Sequence, residues 1–324
     1  MIVSKKQNSR EILNLPKFNI LESKVVREPV EKKQGNWVGA PSIFEMDDIL
    51  YLTYRIRRPV GEGRGTINRV AKSTNGTDFE DVFEINKNML DGAPSIERSC
   101  LLHTGKNFRL YFSYVNPKNN MWQIDYVEAE SVEKFDISSR KKVLDGDMLG
   151  TSGVKDPWIM KVGDYYVMYV SFAPLPPKNE PNLHSTGDAF ATGLTTSKSG
   201  LAISSDGINF KWAGEVIGLG DSWDSSTTRI SSIARIDGGF VAFYDGAYKI
   251  EQNYEEKCGI AFSSDLKTFN RLSVAEPYIE GPNGASIRYV DTVRFKNKFL
   301  FYYEQKREDG SHDLRVAIVD SFRW

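Results

Sequence analysis

Short apolar runs, some alternating with polar residues and some continuous, recur along the chain and are separated by polar turns. Tyr165-Tyr166-Val167-Met168-Tyr169-Val170-Ser171 is one of them, with large side chains on both faces, as in a strand packed on either side. It follows Gly153-Val154-Lys155-Asp156-Pro157-Trp158-Ile159-Met160 across the turn Val162-Gly163-Asp164, so the two runs predict a hairpin. Proline suits the first residue of a strand and not its centre. Pro157 is therefore expected to start its strand, with Lys155 and Asp156 at the mouth rather than in the core. Asp156 reads equally as a chemical group and as a plain strand cap.

One turn signature repeats. Ala71-Lys72-Ser73-Thr74-Asn75-Gly76-Thr77-Asp78-Phe79 has counterparts at Ala129 to Phe135, Ala202 to Phe210 and Ala261 to Phe269, with a degenerate fifth at Ala317 to Phe322. Each reads as a strand end, a turn carrying Asn-Gly, Asp-Gly or a polar substitute, and an aromatic residue opening the next strand. The copies begin at 71, 129, 202, 261 and 317, in steps of 58, 73, 59 and 56 residues. Four ordinary strands with their turns fill such a step. Upstream of each copy lie two strand-like runs, and no helical period competes. Five β units that cannot bury their faces alone predict an all-β chain closed into a five-bladed β-propeller of four-stranded antiparallel blades. A sandwich would not repeat a turn at blade length. The expected blades are 37–90, 91–150, 151–220, 221–280 and 281–324 of one domain, with a strand from 1–36, near Lys24 to Pro29, closing the last.

In such a ring the first strand of each blade lines the channel and the second returns to the same face. Trp37, Arg55, Glu97, Arg98, Lys155, Asp156, Arg229, Asp245, Asp291 and Glu304 are then expected at one channel end, drawn from five blades. Each alone is a solvated strand end. Charges at the matching place in every unit predict a concave polar funnel, where a ligand binds. The long step contains a segment from Pro174 to Lys198 rich in Pro, Gly, Ser and Thr, which reads as a lid over that funnel. His184 is its candidate ligand contact. Gly61-Glu62-Gly63-Arg64-Gly65 follows a strand but opens no helix, so it reads as a mobile hairpin tip and not a phosphate cradle.

Composition narrows the picture. A length of 324 residues is within reach of one large all-β domain. Forty-two Lys and Arg against 43 Asp and Glu leave a net charge of −1, which points to neither nucleic acid nor an acidic membrane surface as partner. Aromatics at 12% favour β structure and leave Trp37, Trp158 and Trp223 for stacking on a ligand, although Trp158, inside a strand, reads as core. Cys100 and Cys258 read as buried thiols, without a disulfide framework or metal spacing. No metal site or required cofactor is expected, while a Ca²⁺ held in the channel by carboxylates and water stays open. Met1 to Arg10 is polar, and no run of about 18 apolar residues occurs, so the expected address is the reducing cytoplasm.

Four features carry a family resemblance: the five units, Lys155-Asp156-Pro157 leading into the Tyr165 to Tyr169 hairpin, Leu52-Thr53-Tyr54-Arg55 in the first blade, and the Ser-x-Asp-Gly turn at Ser204 to Gly207. Through them the chain resembles, over residues 35–320, the five-bladed propeller glycosidases of glycoside hydrolase families 43, 32 and 130. The resemblance implies cleavage of a glycosidic bond by inner-strand carboxylates, with Asp156 matching the family 43 Asp that orients the acid and tunes its pKa. Two positions depart. The first-blade base of family 43, an Asp before Pro, is here Ala40, and the fourth blade offers Thr228-Arg229 where the acid Glu would stand. Either the carboxylates have moved to Glu97 and Asp291, or the site is not hydrolytic in the usual way.

Glycoside cleavage takes one protonated carboxyl for the leaving oxygen and one ionised carboxylate as base or nucleophile. Glu97, Asp156 and Asp291 are the catalytic candidates, since all three start inner strands. Arg98 beside Glu97 and Lys155 beside Asp156 would hold those two ionised, whereas Asp291, between Val290 and Thr292, is expected to have a raised pKa that suits the acid. Trp37, Arg55, Arg98, Lys155, Arg229, Asp245, Glu304 and His184 are the candidate substrate contacts. Arg55, Arg98 and Arg229 favour an acidic sugar, or phosphorolysis as in family 130. Two further readings stay open. Ala40 and Arg229 suit a non-catalytic carbohydrate-binding propeller, and the Ser-x-Asp-Gly turns resemble the Asp-box of sialidases, which have six blades. The partner in each reading is a carbohydrate.

Overall fold

The apolar runs and polar turns fold as five four-stranded antiparallel blades, the first and fifth joined into one sheet by a parallel bridge between Trp37 and His312, in a computed structural model that describes residues 19–320 apart from Asp237. After β1 (Lys24–Arg27), the first blade holds β2 (Trp37–Met46), β3 (Ile49–Arg57), β4 (Gly65–Ser73) and β5 (Glu80–Asn86). The second holds β6 (Ile96–His103), β7 (Phe108–Asn116), β8 (Met121–Ala129) and β9 (Lys141–Asp145). The third holds β10 (Gly153–Val162), β11 (Tyr165–Ala173), β12 (Lys198–Ser204) and β13 (Lys211–Ile217). The fourth has β14 (Thr227–Ile236), β15 (Gly239–Ala247), β16 (Lys257–Ser263) and the two-residue β17 (Asn270–Arg271). In the fifth, β18 (Ile287–Phe295), β19 (Lys298–Lys306) and β20 (His312–Asp320) are completed by β1, whose Lys24 and Val25 lie opposite Val316 and Arg315. First strands touch in cyclic order, β2 to β6, β6 to β10, β10 to β14, β14 to β18 and β18 back to β2, so the propeller is closed. Among the described residues no helix is long and apolar enough to cross a membrane.

Three of the repeated turns work through one hydrogen-bond pattern, while the second copy folds as a 3-10 turn whose Ser131 makes no side-chain cap bond. Ser204 Oγ accepts from the Asp206 and Gly207 amides, and Asp206 Oδ1 accepts from Ile208 and Asn209. Ser263 with Asp265, and Ser73 with Asn75, repeat it. This is the Asx-turn chemistry that makes these residues turn formers. The turn of the fifth copy lies outside the described residues. Three turn tips are held by a tyrosine of the preceding blade: Tyr111 donates to Gly207 O (2.6 Å), Tyr169 to Leu266 O (2.8 Å) and Tyr302 to Gly76 O (2.8 Å). The last joins blade five to blade one. Tyr302→Phe keeps the ring and removes this bond, and is expected to cost about 1 kcal/mol, read as a lower urea midpoint. An unchanged midpoint would show that the hydroxyl adds nothing to closure.

Every first strand breaks register at the same depth: between Gly39 and Ser42, Ile96 and Ser99, Lys155 and Trp158, Ile230 and Ser232, and Arg288 and Asp291. An extra residue there bends the strand and re-aims its side chains. Pro157 therefore does not start its strand. It sits inside β10, which begins at Gly153, and is tolerated because a bulge needs no ladder donor from it. Ala40, Asp156 and Tyr289 occupy the matching bulge position in three blades, with φ of 50°, 56° and 55°. Left-handed backbone at a non-glycine residue costs of order 1–3 kcal/mol and gathers at functional sites.

Candidate active site

The bulges turn a set of charges into the channel end, and the structure buries them. Trp37, Arg55, Glu97, Arg98, Lys155, Asp156, Arg229, Asp245, Asp291 and Glu304 are all no more than 7% exposed. The expected open funnel with Lys155 and Asp156 at its lip is thus a closed polar chamber. Charges are tolerated there because each has a partner.

Tyr289 is the centre of the chamber. Its ring lies 3.9 Å from the Arg229 guanidinium, 5.4 Å from Arg288, 5.7 Å from Arg98 and 6.0 Å from Arg55. Its hydroxyl is 3.5 Å from Asp156 Oδ2. Burial pushes the phenol well above its usual range, so Tyr289 keeps its proton. Arg229 is held by Asp245 through Nε and Nη2 (3.0 and 2.9 Å) and by Glu256 (3.2 Å), and reaches Asp156 at 3.6 Å. Arg288 bridges Glu256 (2.6 Å) and Glu304 (2.7 Å). Arg55 bridges Glu97 (2.6 Å) and Glu304 (3.1 Å).

The carboxylates divide by environment. Burial pulls Glu97 upward, but Arg55, Arg57 and Lys155 outweigh it and hold it below the usual range. Burial is likewise outweighed at Glu256 by Arg229 and Arg288, which bring it down to about 2, and at Glu304 by Arg288 and Arg55. At Asp291 burial wins and pushes the carboxyl up to about 6, against Arg98 and three hydrogen bonds. Asp245 is also raised by burial.

Several pairings differ from those expected from chain neighbours. Arg98 does not serve Glu97: it donates to Pro41 O (2.7 Å) and faces Asp291 at 3.6 Å, so the carboxyl expected to lack a cation has one. Glu97 is held instead by Arg55 and Arg57. Asp291 lies one register step beyond the bulge, opposite Tyr302, and accepts from Trp158 Nε1 (3.1 Å), Ile43 N and Thr292 N. Trp158 is thus both core and a carboxyl partner. Trp223 does not join the chamber: it stacks on Tyr244 and donates to Ser273 O. Trp37 stacks on His312 and flanks Arg57 and Arg288.

The insertion reaches the chamber through Asp188, while the His184 carbonyl accepts the Gly187 amide and its Nδ1 is buried without a hydrogen-bond partner. Asp188 pairs with Arg64 (2.9 Å) and accepts from Trp122 Nε1 (3.1 Å) and Tyr254 Oη (3.2 Å). Arg64, expected on a mobile tip, is buried and also donates to Thr186 O (2.9 Å). Sequence reasoning also missed Arg57, Glu256, Arg288, Tyr289 and His312.

Calcium does not fit this chamber. Among the described residues no group of three or more His, Cys, Asp or Glu side chains is placed to hold a metal ion, and the channel carboxylates are taken up by guanidinium groups. Polar atoms do remain without partners: Asp156 Oδ1, Arg55 Nη1, Arg57 Nη2, Arg98 Nη1 and Ser171 Oγ. Asp156 Oδ1 is the one channel carboxylate oxygen among the described residues engaged by neither a hydrogen bond nor an ion pair.

No protein-family model and no curated protein matches the chain. Solved structures do. A glycosyl hydrolase from Bacteroides ovatus is 17% identical with a TM-score of 0.64, over 95% of this chain and 94% of that one. A structure from the GH130 family of mannoside phosphorylases, described as containing glycoside hydrolases that target β-1,2 mannosidic linkages in Candida mannan, is 16% identical with a TM-score of 0.62, over 94% and 96%. The GH43_1 enzyme from Xanthomonas citri complexed with xylotriose is 12% identical with a TM-score of 0.61, over 92% and 90%. The fold is that of the propeller glycosidases. At these identities the likeness extends to the backbone of all five blades, and the chemistry rests on the chamber itself.

Proposed function

We propose that the protein is a carbohydrate-active enzyme that cleaves a glycosidic bond in the chamber at the channel end. The observation that carries this is Asp156: buried, on strained backbone, beside a protonated phenol and two cations, with Oδ1 unengaged. In this reading Asp156 is the carboxyl group that acts at the reacting centre. Asp291, with its carboxyl near 6, supplies the proton to the leaving oxygen. Glu97, held below the usual carboxylate range by Arg55, Arg57 and Lys155, is a positioning residue that fixes Arg55 and Arg57. The partnerless N–H groups of Arg55, Arg57 and Arg98 favour a substrate bearing an acidic group, or inorganic phosphate as the attacking species in a phosphorylase.

A panel of xylosides, β-1,2-mannosides and uronosides, assayed with and without phosphate, tests the reading. Cleavage is expected, and its rate should fall as pH rises past about 6, where Asp291 loses its proton. Dependence on phosphate selects the phosphorylase. Sugar binding without any released reducing end would leave a non-catalytic binding propeller and sink the proposal.

A further inference from the structure

We infer that the chamber accepts only the end of a sugar chain, so that the enzyme removes terminal units and does not cut within a polymer. This deepens the carbohydrate-cleaving reading above and rests on it. The observation is the roof that Asp188 builds. Asp188 is carried by the insertion of blade three, and its carboxylate is 4% exposed. Oδ2 pairs with Arg64 from the β3–β4 hairpin of blade one and accepts from Tyr254 in the loop before β16 of blade four. Oδ1 accepts from Trp122 on β8 of blade two. Three loops and a strand, from four blades, therefore meet on one side chain.

The roof continues into the chamber. Tyr254 lies over Arg57 at 4.5 Å, and Arg57 donates to Glu97 at 2.8 Å. Lys155, beside Asp156, lies 5.1 Å from the Trp122 ring and 4.7 Å from Phe190 of the insertion. Burial pulls the Asp188 carboxyl up, but Lys155, Arg64 and Arg57 outweigh it and hold it ionised. An internal stretch of polymer needs a groove open at two ends. Here it would have to part Asp188 from both Arg64 and Tyr254, which meet on its Oδ2. A terminal unit needs only one side to open, and the roof can close behind it, as lids that exclude water do.

The test uses the intact protein and linear oligosaccharides of the panel above, each with a free non-reducing end or one blocked by a benzyl ether at its 4-hydroxyl. Wild type is expected to release single terminal units from free-ended chains and to leave blocked chains intact. Arg64→Ala, which removes one side of the roof, is expected to begin cutting blocked chains. Internal fragments from blocked chains with wild type would overturn the inference while leaving glycoside cleavage standing. An Arg64→Ala protein as selective as wild type would overturn it too. Should no chain be cleaved, calorimetry with the same oligosaccharides decides. Binding of free-ended chains alone upholds the roof although cleavage has failed, and equal binding of both, or of neither, overturns it.

Discussion

Asn in place of Asp156 is expected to lower turnover by about 10²–10⁴-fold, the range that a positioned proton-transfer group supplies, while the thermal midpoint stays close to that of wild type. Asn is the right probe because it is one of the few residues that tolerates the left-handed backbone required at this position. It also fills the same volume, so Pro157 and Trp158 keep their places in the bulge. Of the two cations next to Asp156, Arg229 is not stranded by the change: it retains Asp245 at 2.9 Å and Glu256 at 3.2 Å. Lys155, 3.9 Å from Asp156, keeps its contacts with the Trp122 and Phe190 rings. The variant therefore separates chemistry from stability. Steady-state rates on the best glycoside of the panel, with circular dichroism melts alongside, make the measurement. A wild-type rate in Asp156→Asn would remove Asp156 from the reaction, whatever its geometry.

The ring was legible because its signal is periodic. Turns at Ser73, Ser204 and Ser263 recur at two and then one blade lengths, and each carries the same serine and Asx hydrogen bonds, so sequence spacing and local chemistry agreed there. The placement of the candidate residues at one channel end was legible for the same reason. Which charge faces which was not. A bulge inserts one residue and so reverses the side chains around it. Glu97 turns to Arg55 and Arg57 while its neighbour Arg98 turns to Pro41 O and Asp291, and chain adjacency gave the wrong pair. Aligning first strands by register would have found more. Arg288, opposite Glu304, stands in β18 where Lys155, opposite Ser171, stands in β10, so Tyr289 is the counterpart of Asp156. Glu256 precedes a third strand, outside the two strands expected to reach the site. Asp188 sits in a stretch without period, where nothing distinguishes it from His184 four residues earlier.

Glu304→Gln is expected to destabilise the fold by on the order of 3–5 kcal/mol at neutral pH, the cost of breaking a buried ion pair. Glu304 is fully buried, and its carboxylate ties the two ends of the ring together. Oε1 accepts from Arg288 (2.7 Å) and pairs with His312 Nδ1 (2.6 Å) within blade five. Oε2 accepts from the Ala40 amide (3.0 Å) and Arg55 (3.1 Å) of blade one. The fit leaves no room for a side chain at position 39, where a Cβ would come within 2.2 Å of Oε2. Gln preserves the shape, so the loss reports charge and not a cavity. It leaves Arg55 with Glu97 alone and Arg288 with Glu256 alone. The effect has a defined pH dependence. The folded carboxyl lies well below the unfolded value of about 4.3, so its stabilisation is complete above that value and is lost as pH falls through the folded one. Gln has no proton to gain, and the gap between the two proteins should therefore narrow on acidification. Urea unfolding of both at about pH 7 and about pH 3 reads the difference. Equal stability at neutral pH would mean that blades one and five are closed by the β1–β20 pairing and the Tyr302 bond without help from this charge.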